Sequence, residues 1–307
     1  MSETMQAVRI HEYGGPEKLV LEKVPRPTPQ PSEVLVRMRA AGVNPVDWKI
    51  RAGFMKDFRP VQFPLVLGTD GAGEVEAVGS EVTGLRQGQA VFGIIAGSYA
   101  QYAVAPADRL AGIPKPLSFE EAAAVPLGAL TAWQAVLEAA AVEAGQRVLV
   151  LGAAGGVGMF AVQLARWKGA HVIGTASRAN LEFVKSRGAE QVIDYQGQRV
   201  EEVVQGVDAV IDTVGGEPME RSLATLKRGG VLVTVAGQPP EERARAYGVR
   251  ALHGMRASPD RLRDIAELLA AKIIVAEVGK VFGLAEARAA HETSQSRHGR
   301  GRIVLRI

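Results

Sequence analysis

The first 110 residues consist of short apolar or alternating segments separated by glycine and proline. AVRI, LVLEKV and EVLVRMRAAGV are segments of this kind, and GAGEVEAVG, AVFGII and YAQYAVA follow at similar spacing. Short runs of this type with turn residues between them are typical of strands. The pattern therefore predicts an irregular, mostly antiparallel β-barrel in this part of the chain.

The pattern changes near residue 118. Ser118 and Glu121 have the spacing of a capping box at the start of a helical stretch, SFEEAAAVPLGALTAWQAVLEAA. After it, strands alternate with helices, and the strands are VLVLG, HVIGTAS, QVIDY, AVIDTVG and GVLVTVAG. Alternation of this kind predicts a doubly wound parallel sheet with helices on both faces, the Rossmann architecture.

We therefore expect an α/β protein of two domains, which agrees with a length of 307 residues. One domain is expected to comprise residues 1–120 plus 272–307, and the other residues 121–271. The last helix is expected at residues 258–271. The chain then returns to strand texture and ends in RGRIVLRI, which is expected to rejoin the first domain.

Composition excludes several classes of function. The chain has no cysteine, so it has no disulfide, thiolate nucleophile or thiolate metal ligand. Its net charge is only +3 and its bases are scattered; even RIVLRI alternates like a strand with solvated charges, so we expect no nucleic-acid partner. No apolar run reaches the roughly 18 residues of a membrane-spanning helix. The start, MSETMQAVRI, lacks a secretory signal, which predicts a cytoplasmic protein.

A glycine-rich turn links the first buried strand of the second domain to a helix. Glycine lets the backbone turn tightly and approach a pyrophosphate, whose charge then meets the helix N-terminus. The spacing is not the strict G-x-G-x-x-G, and glycine loops also occur as plain turns. The β-α-β setting nevertheless favours a dinucleotide site. Its predicted residues are Gly152, Ala154, Gly155, Gly156, Val157 and Gly158.

The end of the second Rossmann strand distinguishes one dinucleotide from another. An NAD site usually places Asp or Glu there, to bind the ribose 2′-hydroxyl. Here the strand ends in Ser177 and Arg178, with no acid. A hydroxyl and a guanidinium suit a phosphate, so we predict NADPH as the cofactor. The alternative is that Arg178 is a solvated residue in the first turn of a helix.

Motifs along nearly the whole chain resemble the medium-chain dehydrogenase/reductase superfamily. More narrowly, they are similar to its zinc-independent quinone oxidoreductase branch, which includes alkenal and enone reductases. The motifs are AAGVNPVDWKIRAG, PLVLGTDGAGEVEAVG, AAAVPLGALTAWQAV, VLVLGAAGGVG, VIDTVGGE and RGRIVLRI. The resemblance implies a GroES-like barrel on the substrate side, a Rossmann domain that holds NADPH, and a C-terminus that returns to the barrel.

The resemblance also locates the catalytic zinc ligands of the superfamily's alcohol dehydrogenases. Their positions fall at Asn44, Thr69 and Leu127, none of which offers the thiolate, imidazole or carboxylate that zinc prefers. The five histidines show no ligand spacing, and we expect no metal site. Without a strong Lewis acid, the acceptor must already be electrophilic, as quinones and α,β-unsaturated carbonyls are.

Three residues of the motif GVNPVDWK are candidate catalytic residues. The resemblance implies that Asn44 faces the cleft where nicotinamide meets substrate, and its amide can donate to a developing oxyanion or hold the cofactor's ribose. Asp47 lies one helical turn later and can equally well order the turn. Lys49 is a further candidate donor, although an exposed helix lysine is the commoner fate of such a residue.

The resemblance implies further cofactor contacts. It places Thr131 at the nicotinamide end, with ordinary helix packing as the alternative. It places Tyr195 and Arg297 near the adenosine phosphate, with a plain surface arginine as the alternative for Arg297. Val214 and Ala236, where the fourth and fifth Rossmann strands end, are expected to line the nicotinamide pocket, because such folds bind ligands at the carboxyl ends of their strands.

The leading hypothesis is an NADPH-dependent reductase of small-molecule quinones or enones. An enoyl-thioester reductase shares the architecture, but such enzymes often use a tyrosine proton donor in the barrel, and residues 44–60 hold no tyrosine. A third hypothesis is a non-catalytic NADPH-binding protein, as some relatives are. By analogy with the family we expect a homodimer that pairs Rossmann edge strands, with GVLVTVAG as the candidate edge.

Overall fold

The structure is a computed structural model that describes residues 3–57, 59–296 and 299–307. The chain separates into two compact units. Unit 1 comprises Met1–Leu127, Pro259–Ala270 and Ala276–Ile307, and unit 2 comprises Gly128–Ser258 and Ala271–Val275. Each unit is built around its own β-structure.

The described strands are β1 (Thr4–Ile10), β2 (Val20–Pro25), β3 (Glu33–Val43), β4 (Leu65–Val66), β5 (Asp70–Val78), β6 (Ala90–Ile94), β7 (Tyr102–Pro106), β8 (Leu110–Gly112), β9 (Arg147–Leu151), β10 (His171–Ala176), β11 (Gln191–Asp194), β12 (Val207–Asp212), β13 (Leu226–Thr234), β14 (Arg250–His253), β15 (Val278–Gly283) and β16 (Arg302–Arg306). The described α-helices are α1 (Pro45–Arg51), α2 (Phe119–Ala123), α3 (Pro126–Trp133), α4 (Gly158–Trp167), α5 (Leu181–Ser186), α6 (Val200–Val203), α7 (Gly216–Ser222), α8 (Glu241–Tyr247), α9 (Leu262–Ala270) and α10 (Ala287–Gln295).

Unit 1 is mostly antiparallel, as predicted. Within the described residues it contains a three-stranded sheet ordered β2-β1-β4 and a seven-stranded sheet ordered β15-β16-β3-β5-β6-β8, with β7 paired to β3. The pair β15–β16 is parallel and the other pairs are antiparallel. Strand β16 pairs with β3, where Ile303 faces Val43, so the C-terminal strands complete the sheet begun by the N-terminal ones.

Helix α9 belongs to unit 1, whereas the expected domain boundary had assigned it to the Rossmann domain. Its buried residues Leu262, Ile265, Leu268 and Leu269 recur at helical spacing and form one apolar face. The helix packs near β8. Alternation of helices and strands along the sequence does not reveal this, because it reports the type of each element and not its packing partner.

Unit 2 contains a parallel sheet ordered β11-β10-β9-β12-β13-β14 among the residues that the structure describes. This is the order of the doubly wound dinucleotide fold, which confirms the predicted architecture. The strand centres are fully buried, with Leu149, Val210 and Leu232 at 0% exposure. Parallel strands covered on both faces need such continuous apolar runs, and these runs are what made them recognisable in the sequence.

The edge of this sheet differs from expectation. GVLVTVAG forms the end of β13, which lies between β12 and β14 and is therefore internal. The edge strand on that side is β14, with the sequence RALH. Four residues with polar ends carry little strand signal, so the sequence pattern favours the more apolar β13 as the edge.

The helical stretch after residue 118 is interrupted. Ser118 Oγ accepts a hydrogen bond from the Glu121 N–H at 3.2 Å, and the Glu121 carboxylate accepts from the Ser118 N–H at 2.8 Å, which confirms the capping box. Helix α2 ends after Ala123, and Pro126 starts α3, because proline fits the first position of a helix but not its interior. No described helix is long and apolar enough to cross a membrane.

Candidate active site

The glycine turn of unit 2 is shaped by close backbone approaches. Gly152 has φ +70°, a left-handed conformation that favours glycine. The Gly155 N–H donates to the Gly152 carbonyl at 3.0 Å, which closes the turn, and the Gly152 N–H donates to Thr175 Oγ1 at 3.1 Å. A Cβ on Gly158 would lie 2.2 Å from the Gly152 carbonyl oxygen, so only glycine lets α4 begin against the turn.

The turn leaves room on its other side. A Cβ on Gly155 would meet only the Gly152 carbonyl oxygen, at 3.3 Å. The ten-residue helix α4 starts at Gly158, and the aligned peptide dipoles of a helix place a partial positive charge at this end. An open backbone turn leading into such a helix fits the pyrophosphate of a dinucleotide. Ala154 is buried, whereas Gly156 and Val157 are half-buried in the turn.

The predicted cofactor residues of unit 2 follow the carboxyl ends of neighbouring parallel strands. Strand β9 is central, with β10 on one side and β12 on the other, so the strand order reverses at the glycine turn. Ligands bind at this switch point in doubly wound sheets. The residues that follow the strands are Tyr195 after β11, Ser177 and Arg178 after β10, the turn after β9, Val214 after β12 and Ala236 after β13.

The ends of β10 and β11, where the adenosine phosphate is predicted to bind, are exposed. The Tyr195 N–H donates to the Ala176 carbonyl at 3.2 Å, which brings Tyr195 beside the end of β10. Its side chain is 59% exposed, and Arg178 is exposed as well. Ser177 Oγ accepts from the Asn180 amide at 3.1 Å. Arg297 lies outside the described residues.

Helix α3 approaches the turn from another direction. A Cβ on Gly128 would lie 2.5 Å from the Gly156 carbonyl oxygen, so this helix contacts the turn through bare backbone. Thr131 is half-buried and three residues further on, hence on nearly the same side of the helix. Thr131 therefore shares a side of α3 with the glycine that meets the turn, and its contact with the cofactor stays a prediction.

Asp212 orders the ends of β12 and β13, where the nicotinamide pocket is predicted, and sequence reasoning missed it. It is fully buried at the end of β12, where one carboxylate oxygen accepts from the N–H groups of Val214 and Gly215, both at 3.0 Å. The other oxygen accepts from the Thr234 hydroxyl at 2.6 Å, at the end of β13. The sequence feature that could have indicated it is an acidic residue at the end of the apolar strand in AVIDTVG.

In unit 1, Asp47 is a buried carboxylate in the first turn of α1. It is 1% exposed. Its Oδ2 accepts from the Asn44 N–H at 2.8 Å and from the Tyr99 hydroxyl at 3.1 Å, and its Oδ1 accepts from the Thr69 hydroxyl at 3.2 Å. Burial raises the pKa of Asp47 to about 7; the charge of Asp70 also raises it, while the three hydrogen bonds act in the opposite direction. These contacts are those of a residue that orders the turn.

A chain of hydrogen bonds leads from helix α10 to Asp47. Arg51 Nη1 lies 3.3 Å from His291 Nδ1, and His291 Nε2 lies 3.3 Å from the Tyr99 hydroxyl. Burial, together with the charge of Arg51, lowers the pKa of His291 to about 3, so the imidazole is neutral. Because a guanidinium only donates, Nδ1 accepts and Nε2 carries the proton. Every donor in the chain therefore points towards Asp47.

Asn44 is held by a buried ion pair. Arg302 Nη2 donates to Asn44 Oδ1 at 2.6 Å and to Asp70 Oδ2 at 2.8 Å, and the arginine is only 4% exposed. The other oxygen of Asp70 accepts from the Leu127 N–H at 3.0 Å. The interpretation of RIVLRI as a strand with solvated charges is therefore wrong for Arg302, because that side of β16 faces buried Asp70.

The three positions that the resemblance matches to zinc ligands are bound to other protein groups. Asn44 Oδ1 accepts from Arg302, the Thr69 hydroxyl donates to Asp47, and Leu127 contributes a backbone N–H to Asp70. Across the described ranges, no group of three or more His, Cys, Asp or Glu is placed to hold a metal ion.

Asn44 keeps one donor unused. It is 1% exposed, and its Nδ2 has no hydrogen-bond partner among the described residues. A buried unpaired donor costs the fold free energy, of order 1–3 kcal/mol, unless a ligand supplies an acceptor. Lys49 is half-buried, with its Nζ 5.9 Å from the centroid of the Trp48 ring, and its predicted role stays a prediction.

Known proteins share both units. Residues 30–115 match the alcohol dehydrogenase GroES-like domain, and residues 187–305 match the zinc-binding dehydrogenase family. A quinone oxidoreductase of Sus scrofa is 33% identical over 98% of this chain and 97% of its own.

Solved structures agree with these matches. The quinone oxidoreductase of Coxiella burnetii superposes with a TM-score of 0.90 at 35% identity, over 99% of this chain and 100% of its own. A mycobacterial protein solved in complex with NADPH superposes with a TM-score of 0.87 at 31% identity, over 99% and 100%.

The chain belongs to the medium-chain dehydrogenase/reductase superfamily, in its quinone oxidoreductase branch. The predicted resemblance and the pairing of a GroES-like domain with a Rossmann sheet are both confirmed.

The close approach of Gly158 to the Gly152 carbonyl oxygen predicts that a methyl group added at Gly158 destabilises the fold. Gly158→Ala places a Cβ against rigid backbone, so we expect a loss of about 2–3 kcal/mol in the free energy of unfolding, measured by urea denaturation. The matched control is Gly197→Ala, whose nearest neighbour would be 3.8 Å away and which should change stability by less than about 0.5 kcal/mol. Equal stability of the two variants would contradict this account of the turn.

Asp47 predicts a pH dependence of stability. Between the usual pKa of 3.8 and about 7, the folded chain binds a proton at Asp47 that the unfolded chain has released, so the contribution of Asp47 to stability falls as pH rises through this window. We expect the free energy of unfolding of the wild type, minus that of Asp47→Asn, to decrease across the window in urea denaturation. The control is Asp108→Asn, an exposed residue, for which the difference should stay flat. A flat difference for Asp47→Asn would contradict the prediction.

Proposed function

We propose that the protein is an NADPH-dependent oxidoreductase that reduces quinones or α,β-unsaturated carbonyls without zinc. The observation that carries the proposal is that the positions matched to the superfamily's zinc ligands hold other residues, which bind protein groups. Asn44, Thr69 and Leu127 lack zinc-binding groups, are engaged by protein partners, and leave one buried donor, Asn44 Nδ2. The quinone oxidoreductase names of the pig and Coxiella relatives support the same substrate class.

The roles of the residues follow from their contacts. Bound NADPH supplies the hydride. Asn44 Nδ2 donates to the carbonyl oxygen on which negative charge develops, and stabilises it there. Asp47 has its oxygens engaged by Asn44, Thr69 and Tyr99, so it positions the turn that carries Asn44 and does not itself contact the substrate.

NADPH is preferred over NADH in this proposal. The end of β10 carries Ser177 and the exposed Arg178 and no acid, and Tyr195 lies beside it. A guanidinium binds a 2′-phosphate through charge-assisted hydrogen bonds. The NADPH complex of the mycobacterial structural relative supports the same choice.

We also propose a cytoplasmic homodimer. The support for dimerisation is that β14 ends the parallel sheet of the described residues and so offers an unpaired edge to a second copy. Size-exclusion chromatography with light scattering tests it; a mass equal to the 32.5 kDa of one chain would reject it.

The activity is tested by following NADPH oxidation with benzoquinone, a naphthoquinone, a short enone and a crotonyl thioester. We expect turnover with the quinones or the enone. Turnover of the thioester alone would instead identify an enoyl-thioester reductase. NADPH binding without turnover of any acceptor would identify a non-catalytic binding protein.

The cofactor choice is tested at Arg178. Arg178→Ala removes a charge-assisted contact of about 1.5–3 kcal/mol, so we expect the KM for NADPH to rise about 10- to 100-fold and the KM for NADH to stay within about twofold. The control is Arg166→Ala, which removes another exposed arginine of unit 2, one that pairs with Glu190. An unchanged KM for NADPH in Arg178→Ala would contradict the prediction.

A further inference from the structure

We propose that Arg302 is a positioning residue that fixes the side-chain amide of Asn44 so that its N–H₂ group, and not its oxygen, is presented to the ligand. This inference rests on the proposed function, in which Asn44 donates to the acceptor. It assigns to the C-terminal strand β16 a part in the chemistry of a residue 258 positions earlier in the chain.

The orientation follows from the chemistry of the two side chains. A guanidinium has five donors and no acceptor, so the group it contacts must be an acceptor. Arg302 Nη2 lies 2.6 Å from the Asn44 amide, a distance that admits the oxygen and excludes the nitrogen. If the amide were flipped, the Asn44 N–H₂ group would face the N–H groups of Arg302. Both residues are at most 4% exposed, so water could not relieve this contact.

Arg302 is itself held in place. Its Nη2 also donates to Asp70 Oδ2 at 2.8 Å, and Asp70 is fully buried in β5, with its other oxygen bound to the Leu127 N–H. The guanidinium therefore has little freedom to follow a moving amide. Fixing the amide in advance removes the cost of orienting it when the reaction begins.

The arrangement also selects the kind of ligand group. The charge of Arg302 is balanced by Asp70. The Nε–H of Arg302 and the N–H₂ group of Asn44 both lack a partner among the described residues, and we assign the neutral amide N–H₂ group to the ligand. Such a donor suits a neutral carbonyl oxygen that becomes negative only during the reaction. It offers less to a carboxylate, which an unbalanced arginine would attract before any reaction occurs.

The test is a mutant cycle in which the Arg302–Asp70 ion pair is one side and Asn44 is the other. Asn44→Leu removes the amide, and we expect kcat for quinone reduction to fall about 10²-fold, as for loss of one oxyanion donor. Arg302→Met combined with Asp70→Asn removes the ion pair without leaving a buried charge, and we expect kcat to fall at least about tenfold. Adding Asn44→Leu to that background should lower kcat little further, because the amide is already misoriented.

Arg302→Lys provides a second, conservative background. One ammonium group must then serve both Asn44 and Asp70, so we expect an intermediate kcat and a smaller effect of Asn44→Leu than in the wild type. This background decides the question if the neutral double variant does not fold. All kcat values are measured at saturating NADPH, so that a change in cofactor affinity caused by Asn44→Leu does not enter the comparison.

The outcomes separate two kinds of failure. Multiplicative effects, with Asn44→Leu lowering kcat by the same factor in every background, would overturn the positioning role and leave the proposed function intact. Absence of quinone and enone turnover in the wild type would overturn the proposed function itself. A purely structural role of Arg302 would lower the Tm without changing the factor caused by Asn44→Leu.

Discussion

The buried ion pair between Arg302 and Asp70 is the contact on which the polar centre of unit 1 depends. Both side chains are almost inaccessible to water, and removing one partner of such a pair typically costs about 3–5 kcal/mol, because the other charge stays buried. From this pair, hydrogen bonds reach Asn44 in the turn before α1 and Leu127 at the start of α3. The ion pair thus holds two of the three residues that the resemblance matches to zinc ligands, Asn44 through Arg302 and Leu127 through Asp70.

A second buried network keeps Asp47 beside this centre. A carboxylate without a metal needs donors, and Asp47 has three of them, from Asn44, Thr69 and Tyr99. The neutral His291 accepts a hydrogen bond from Arg51 and donates one to the Tyr99 hydroxyl, which in turn donates to Asp47. The helix α10 that carries His291 therefore supports the turn that carries Asn44. In unit 2, Asp212 is a comparable buried carboxylate. It accepts hydrogen bonds from Gly215 after β12 and from Thr234 at the end of β13.

The sequence indicates the fold around the glycine turn of unit 2 far better than the polar centre of unit 1, for a physical reason. A dinucleotide turn is local: a buried strand, glycines and a helix follow one another, and residues after parallel strands must meet at one edge. The centre of unit 1 joins residues separated by 258 positions for Arg302 and Asn44 and by 240 for Arg51 and His291. The alternation of RIVLRI shows which residues share a face of β16, but not that Asp70 lies against one of them.

In the proposed function, polar protein groups take the place of a catalytic metal in an active reductase. The most direct test measures zinc content and NADPH-dependent quinone reduction on the same purified sample, before and after treatment with a chelator. We expect full turnover at a zinc content far below one ion per chain, unchanged by the chelator. One zinc ion per chain, with activity lost on chelation and restored by added zinc, would contradict it.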